Sequence, residues 1–159
     1  MRKPYSPKSE FLKAITAGDV PLSGGEFAQA NLCQLVEMTR DEDRSNRDWA
    51  TFLLAQEETD TPAVRDALIR AAKDDDDVVR AEAVLGLAKR DPLLALPLVQ
   101  EALRSEAVAA PMFEAAALCA DLSLIPDLRI WAEPSDEPLM DGLAADALAA
   151  CEKVGSATL

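Results

Sequence analysis

Apolar residues recur along this chain at helical spacing, in bursts of a few turns separated by short acidic or proline-containing breaks. Within residues 77–90, Val79, Ala83 and Leu87 fall four apart on one face, and Gly86 beside them lets a second helix approach closely. Ala50 and Leu54 draw the same stripe one segment earlier. The apolar positions are mostly Ala and Leu, which suits close-packed helices better than a sheet built from Val, Ile, Tyr and Phe. The pattern predicts helices over 6–17, 26–38, 44–56, 62–72, 77–90, 92–104, 110–121, 124–132 and 138–152, an all-α fold. Boundary residues support these spans. Asp60-Thr61-Pro62 and Asp91-Pro92 each set a capping residue before a proline in the first turn, where its missing N–H costs nothing. Asp77 is the expected cap of the helix that follows it.

The helices come in a repeating unit. Four segments align: WATFLLA from Trp49, EAVLGLA from Glu82, EAAALCA from Glu114 and DALAACE from Asp146, starting 33, 32 and 32 residues apart. Asp41 and Arg47 stand six apart, and Asp74 and Arg80 repeat that pair 33 residues further on. Such a period marks a stack of similar supersecondary units. The unit is helix, short acidic turn, helix, with repeats at about 26–58, 61–90, 92–121 and 124–152 in a single domain.

The Asp–x5–Arg spacing and the VRAEAVLGLA run from Val79 resemble HEAT-like repeats, in the bacterial short-repeat form also seen in phycobilisome lyase subunits. The resemblance implies a short right-handed α-solenoid of about four helical hairpins, with the second helix of each lining a concave surface. It also implies that Asp41, Arg47, Asp74 and Arg80 form a hydrogen-bonded ladder along the stack. Glu106 and Met112 occupy the matching places in the third unit, so the ladder is expected to stop there. In this frame Asp75 and Asp76 are solvated turn residues. A calcium loop counted from Asp74 would need glycine and glutamate where Val79 and Leu85 stand, so no metal is expected.

Charge narrows the partners. Residues 1–40 carry five basic and four acidic groups, whereas 41–159 carry 11 basic against 25 acidic, a net of −14. Phosphates would be repelled, so nucleic acid is not an expected ligand, while a basic protein suits the sign. No apolar run reaches the roughly 20 residues that span a bilayer, and the N-terminus lacks the apolar core of a secretory signal, so a cytoplasmic location is expected. Cys33, Cys119 and Cys151, scattered among Ala and Leu, read as buried small hydrophobes. The chain contains no histidine and no phosphate-binding glycine loop, so neither a catalytic role nor a cofactor is expected.

Helical periodicity directs Glu82 and Leu85 away from the core stripe. Their equivalents are Trp49 and Phe52, Glu114 and Ala117, and Asp146 and Ala149. The candidate partner-binding residues are therefore Trp49, Phe52, Glu82, Leu85, Glu114 and Asp146, an aromatic anchor followed by carboxylates along the concave face. The competing assignment packs Trp49 and Phe52 beneath the N-terminal helix as an end cap. The expected function is a non-catalytic protein-binding module, most specifically an immunity protein that neutralises a basic, nuclease-type toxin. Alternatives are a general assembly scaffold, or a lyase-type subunit whose groove holds a cofactor or chromophore.

Overall fold

The computed structural model describes residues 3–157, and within them the regular elements are helices. In chain order they are α1 (Glu10–Ala17), α2 (Ala28–Met38), α3 (Arg44–Gln56), α4 (Pro62–Ala71), α5 (Asp77–Arg90), α6 (Pro92–Leu103) and α7 (Ala110–Cys119). A 3-10 turn at Leu122–Leu124 then leads into α8 (Ile125–Trp131), and α9 (Pro138–Ala157) follows.

Side-chain acceptors start most of these helices where the backbone N–H groups would otherwise be unpaired. Ser9 caps α1, Asp43 caps α3, Thr61 caps α4 ahead of Pro62, and Asp91 caps α6 ahead of Pro92. The cap of α5 is Asp76, which accepts from the N–H groups of Val78 and Val79. Asp77, the expected cap, is instead the first helical residue. The difference is one residue of register, and it makes Asp76 a structural acceptor rather than a solvated turn residue. Two spans differ from expectation by more than two residues. Helix α1 begins at Glu10 rather than at residue 6, because Ser9 caps it and residues 3–8 lie outside the helix. Helix α9 continues through Ala157, past the expected end at 152.

The second helices of successive pairs, α3, α5, α7 and α9, pack side by side as an inner layer. Each leans on its own first helix, α2, α4, α6 or α8, and these outer helices pack far less closely on one another. A stack that is tight on one side and splayed on the other curves toward the tight side. Small residues permit the tight side. A Cβ on Gly86 would lie 2.9 Å from Ala55 Cβ and 3.0 Å from Ala55 Cα, so α3 and α5 meet through glycine and alanine.

One continuous apolar core runs between the layers, from Leu12 through Leu35, Leu54, Leu68, Leu87, Val99 and Phe113 to Leu128 and Cys151. Each fully buried leucine contributes roughly 1.5–3 kcal/mol through burial. Aromatic side chains are few but placed at joints. Phe113 meets Trp131 edge-on at 5.8 Å, and Trp131 Nε1 donates to the Leu103 carbonyl at 2.7 Å, tying α8 to α6 and α7. Arg90 closes another joint. Its guanidinium, nearly buried, donates to the carbonyls of Leu54, Glu57 and Thr59, at and just beyond the end of α3. Among the cysteines, Cys151 is buried, Cys119 is half-buried and Cys33 is exposed. Cys33 therefore departs from the expected buried role, because α2 stands on the splayed outer layer.

Candidate functional site

Residues Trp49, Glu82, Glu114 and Asp146 come from successive inner helices, α3, α5, α7 and α9, at one register position. The exposure of these four residues and of Phe52 and Leu85 beside them is not uniform. Asp146 is exposed, and Glu114 and Phe52 are half-buried. Trp49, Glu82 and Leu85 are only 8%, 6% and 4% exposed, so the expectation that this row faces outward fails at its first two helices. At Trp49 and Glu82 the cover comes from upstream, from residues 3–8, which lie like a strap against α3 and reach α5 through Lys3.

Inward and outward positions alternate along the strap. Lys3 and Tyr5 are half-buried and Pro7 is buried, while Pro4 and Ser6 are exposed, the period-two signature of an extended segment lying on a surface. The Lys3 ammonium reaches Asp48 at 2.6 Å and Glu82 at 3.3 Å, and sits 5.1 Å from the centre of the Phe52 ring. The Tyr5 hydroxyl donates to the other Asp48 oxygen. Its ring meets Trp49 edge-on at 6.2 Å, and Trp49 meets Phe52 edge-on at 5.7 Å. Trp49 and Phe52 are thus covered at the end of the stack. The cover is the extended strap before α1 rather than the N-terminal helix of the competing assignment.

The electrostatics of this end are unusual. One ammonium serves two carboxylates, and all three side chains are almost dry. Burial pushes the Asp48 carboxyl above its ordinary range, and the Lys3 hydrogen bond and charge pull it only part of the way back. Burial pushes Glu82 up as well, against Lys3, with Asp48 and Glu114 adding repulsion. Glu114 is therefore electrostatically next in line along the inner face. Two buried polar atoms nearby, Trp49 Nε1 and Thr51 Oγ1, have no hydrogen-bond partner among the described residues.

The turn between the outer and inner helices carries a second constellation. Arg47 on α3 donates to the Asp74 carboxylate at 2.9 Å and to the backbone carbonyls of Asp41 and Glu42, both at 3.2 Å. Arg80, one repeat on, donates to the Asp74 carbonyl at 2.7 Å. Asp41 and Asp74 each accept the N–H two residues ahead, from Asp43 and Asp76, which tightens the turn. Arg44 pairs with Asp76 at 2.6 Å across the same gap. The first and third aspartates of the Asp74–Asp77 run are thus taken by arginines and backbone N–H groups.

This ladder of arginine and turn aspartate, stepped at the helical-pair period, is what a family comparison can decide. A family model of HEAT repeats matches residues 32–120. The chain belongs to the HEAT-repeat family. Protein YibA of Escherichia coli K12 is 29% identical over 133 residues, which covers 78% of this chain and 48% of YibA. YibA of Escherichia coli O157:H7 matches to the same extent. The chain spans about half the length of the curated relatives it matches. The X-ray structure of Escherichia coli YibA superposes with a TM-score of 0.59 at 21% identity, over 88% of this chain and 54% of that one. That likeness is one of fold. The HEAT match begins at residue 32, so the strap that covers the inner face lies outside it.

Lys3, Tyr5 and Asp48 are the site residues that the sequence reading missed. Asp48 did carry a signal: the HEAT register places it one unit before Ala81, a buried position. A charge at a buried register position calls for a partner. For Lys3 the only hint is the alternation Lys3, Tyr5, Pro7 at the start of the chain.

Proposed function

We propose that this HEAT-repeat chain is a non-catalytic module that binds a basic protein on its inner face, and that its most specific role is to inhibit a basic, nuclease-type toxin. The observation that carries the reading is the chain's own Lys3, an ammonium already held by the carboxylates of α3 and α5. The same row continues into Glu114 and Asp146, which have no such cover. The formal net charge of −13 favours a cationic partner and disfavours nucleic acid. An acidic inhibitor would also meet a nuclease where its substrate phosphates bind, so attraction and competition coincide.

The test is association kinetics with the basic protein recovered from a tagged pull-down in the native host. The expected result is a one-to-one complex whose association rate falls steeply with salt. The pair Glu114→Lys and Asp146→Lys should slow association about tenfold at low salt without changing the far-UV spectrum. Association indifferent to salt and to both reversals overturns the reading. Recovery of several partners at modest affinity would point to a scaffold instead.

A further inference from the structure

We infer that Asp48, Glu82 and the Phe52 ring form a lysine-binding site, filled here in cis by Lys3, and that, resting on the basic-partner reading of the inner face, a lysine on an extended segment of the partner takes Lys3's place. The site has the elements that ammonium recognition requires. Two carboxylates face one cation, an aromatic face lies within cation–π range, and the walls exclude water, with the Lys3 side chain only 7% exposed.

The present occupant is attached in a way that allows exchange. Among the described residues, the strap from Lys3 to Lys8 makes no backbone–backbone hydrogen bond. It is held by side chains: Lys3, Tyr5, the buried Pro7, and Lys8 on Asp43 at 2.7 Å. A strap in a sheet would have a ladder of bonds to break, whereas this one has only its side-chain anchors, the last of them exposed. Beside it a cleft of about 650 Å³, lined by Lys3, Tyr5, Pro7, Trp49 and Phe52, gives an incoming segment room to enter before the strap has left. Trp49, buried against the strap with its Nε1 unpaired, offers a donor that Lys3 and Tyr5 do not use.

The strap then sets a threshold. As a tethered competitor it acts at an effective concentration on the order of millimolar, so a lysine-bearing segment binds only if its other contacts on Glu114 and Asp146 add enough. Removing the strap's ammonium should lower that threshold.

The probe is a blocked synthetic peptide of sequence RKPYSPK, titrated calorimetrically into the full-length chain and into Lys3→Gln. Lys3→Gln should bind it at least tenfold more tightly than the unaltered chain, and acetylating the peptide's first lysine should abolish that gain. The chain has a single tyrosine, so 3-fluorotyrosine reports on Tyr5 alone. In the unaltered chain, saturating peptide should move the Tyr5 fluorine resonance to the position of a solvated tyrosine. Equal affinity for both proteins, with salt-sensitive binding that Glu114→Lys weakens, overturns the lysine site and leaves the acidic face standing. No binding to either protein overturns the site and removes the peptide support for that face. Should Lys3→Gln not fold, the fluorine measurement decides by itself: a Tyr5 resonance unmoved at millimolar peptide overturns the inference.

Discussion

Four consecutive aspartates, Asp74 to Asp77, do different things because their surroundings differ. Asp74 carries an arginine and a turn N–H, Asp76 caps α5, and Asp75, with its side chain 96% exposed, reaches the far edge of Arg47 at 3.5 Å. Asp74→Ala should therefore cost about 2–3 kcal/mol, since it takes from Arg47 its half-buried carboxylate partner and from a turn N–H its acceptor. Asp76→Ala should cost about 1–2 kcal/mol as a lost cap, and Asp75→Ala should be neutral in urea unfolding. Titration separates these groups from the covered end. Burial raises Asp74 and Asp76, yet hydrogen bonds from Arg47, Arg44 and backbone N–H groups outweigh it and hold both below the ordinary 3.8. Their stabilisation is present at neutral pH and is lost as pH falls below that value. Asp48 and Glu82 are raised, so they have the opposite sign: stability grows as pH falls through their folded values toward the ordinary 3.8 and 4.5. Urea unfolding across pH should show a rise on mild acidification that Glu82→Gln diminishes, then a loss at lower pH that Asp74→Asn diminishes.

Helices in this chain differ in how much of their surface is already taken. Helix α5 touches α3, α4, α6 and α7, and Val79, Ala83, Gly86 and Leu87 are all buried. Gly86 would ordinarily weaken a helix interior by roughly 0.5–1 kcal/mol relative to alanine. Here the missing Cβ is what lets Ala55 approach, and the obstructing atoms include backbone that cannot swing aside. Gly86→Ala should thus destabilise by about 1–3 kcal/mol through overpacking. Gly142 in α9 has nothing within 4 Å of a built Cβ, so Gly142→Ala should stabilise by about 0.5–1 kcal/mol. Thermal melts of the two variants should move in opposite directions. Both glycines sit in helical patterns of similar composition; only the neighbour across the gap tells them apart.

Across the stack, stability should follow position. A repeat array gains from each neighbour, so its middle opens last and its ends first. Helix α5 lies centrally, α1 packs on little besides α3, and the connection 133–137 is exposed. Native-state amide exchange should be slowest in α5 and its contacts with α3 and α7, and fastest in α1 and at 133–137. Exchange as slow in α1 as in α5 would mean that the strap and α1 are an integral part of the cooperative unit.

Helix spans to within a few residues, the period near 32 and the caps Thr61 and Asp91 could be read from the chain because each depends on residues within a few turns of one another. The spans 44–56 and 77–90 coincide with α3 and α5 to the residue, and the small-residue contact at Gly86 was visible as a pattern. The HEAT-repeat architecture follows from that local information repeated. The state of the inner face does not. Lys3 meets Asp48 and Glu82 across 45 and 79 residues, and Arg90 reaches Glu57 across 33. Periodicity states which way a side chain points, but not what will be lying there when the chain has folded. Only packing in three dimensions decided that Trp49 and Glu82 are covered while Glu114 and Asp146 are not, because the strap ends its reach at α5.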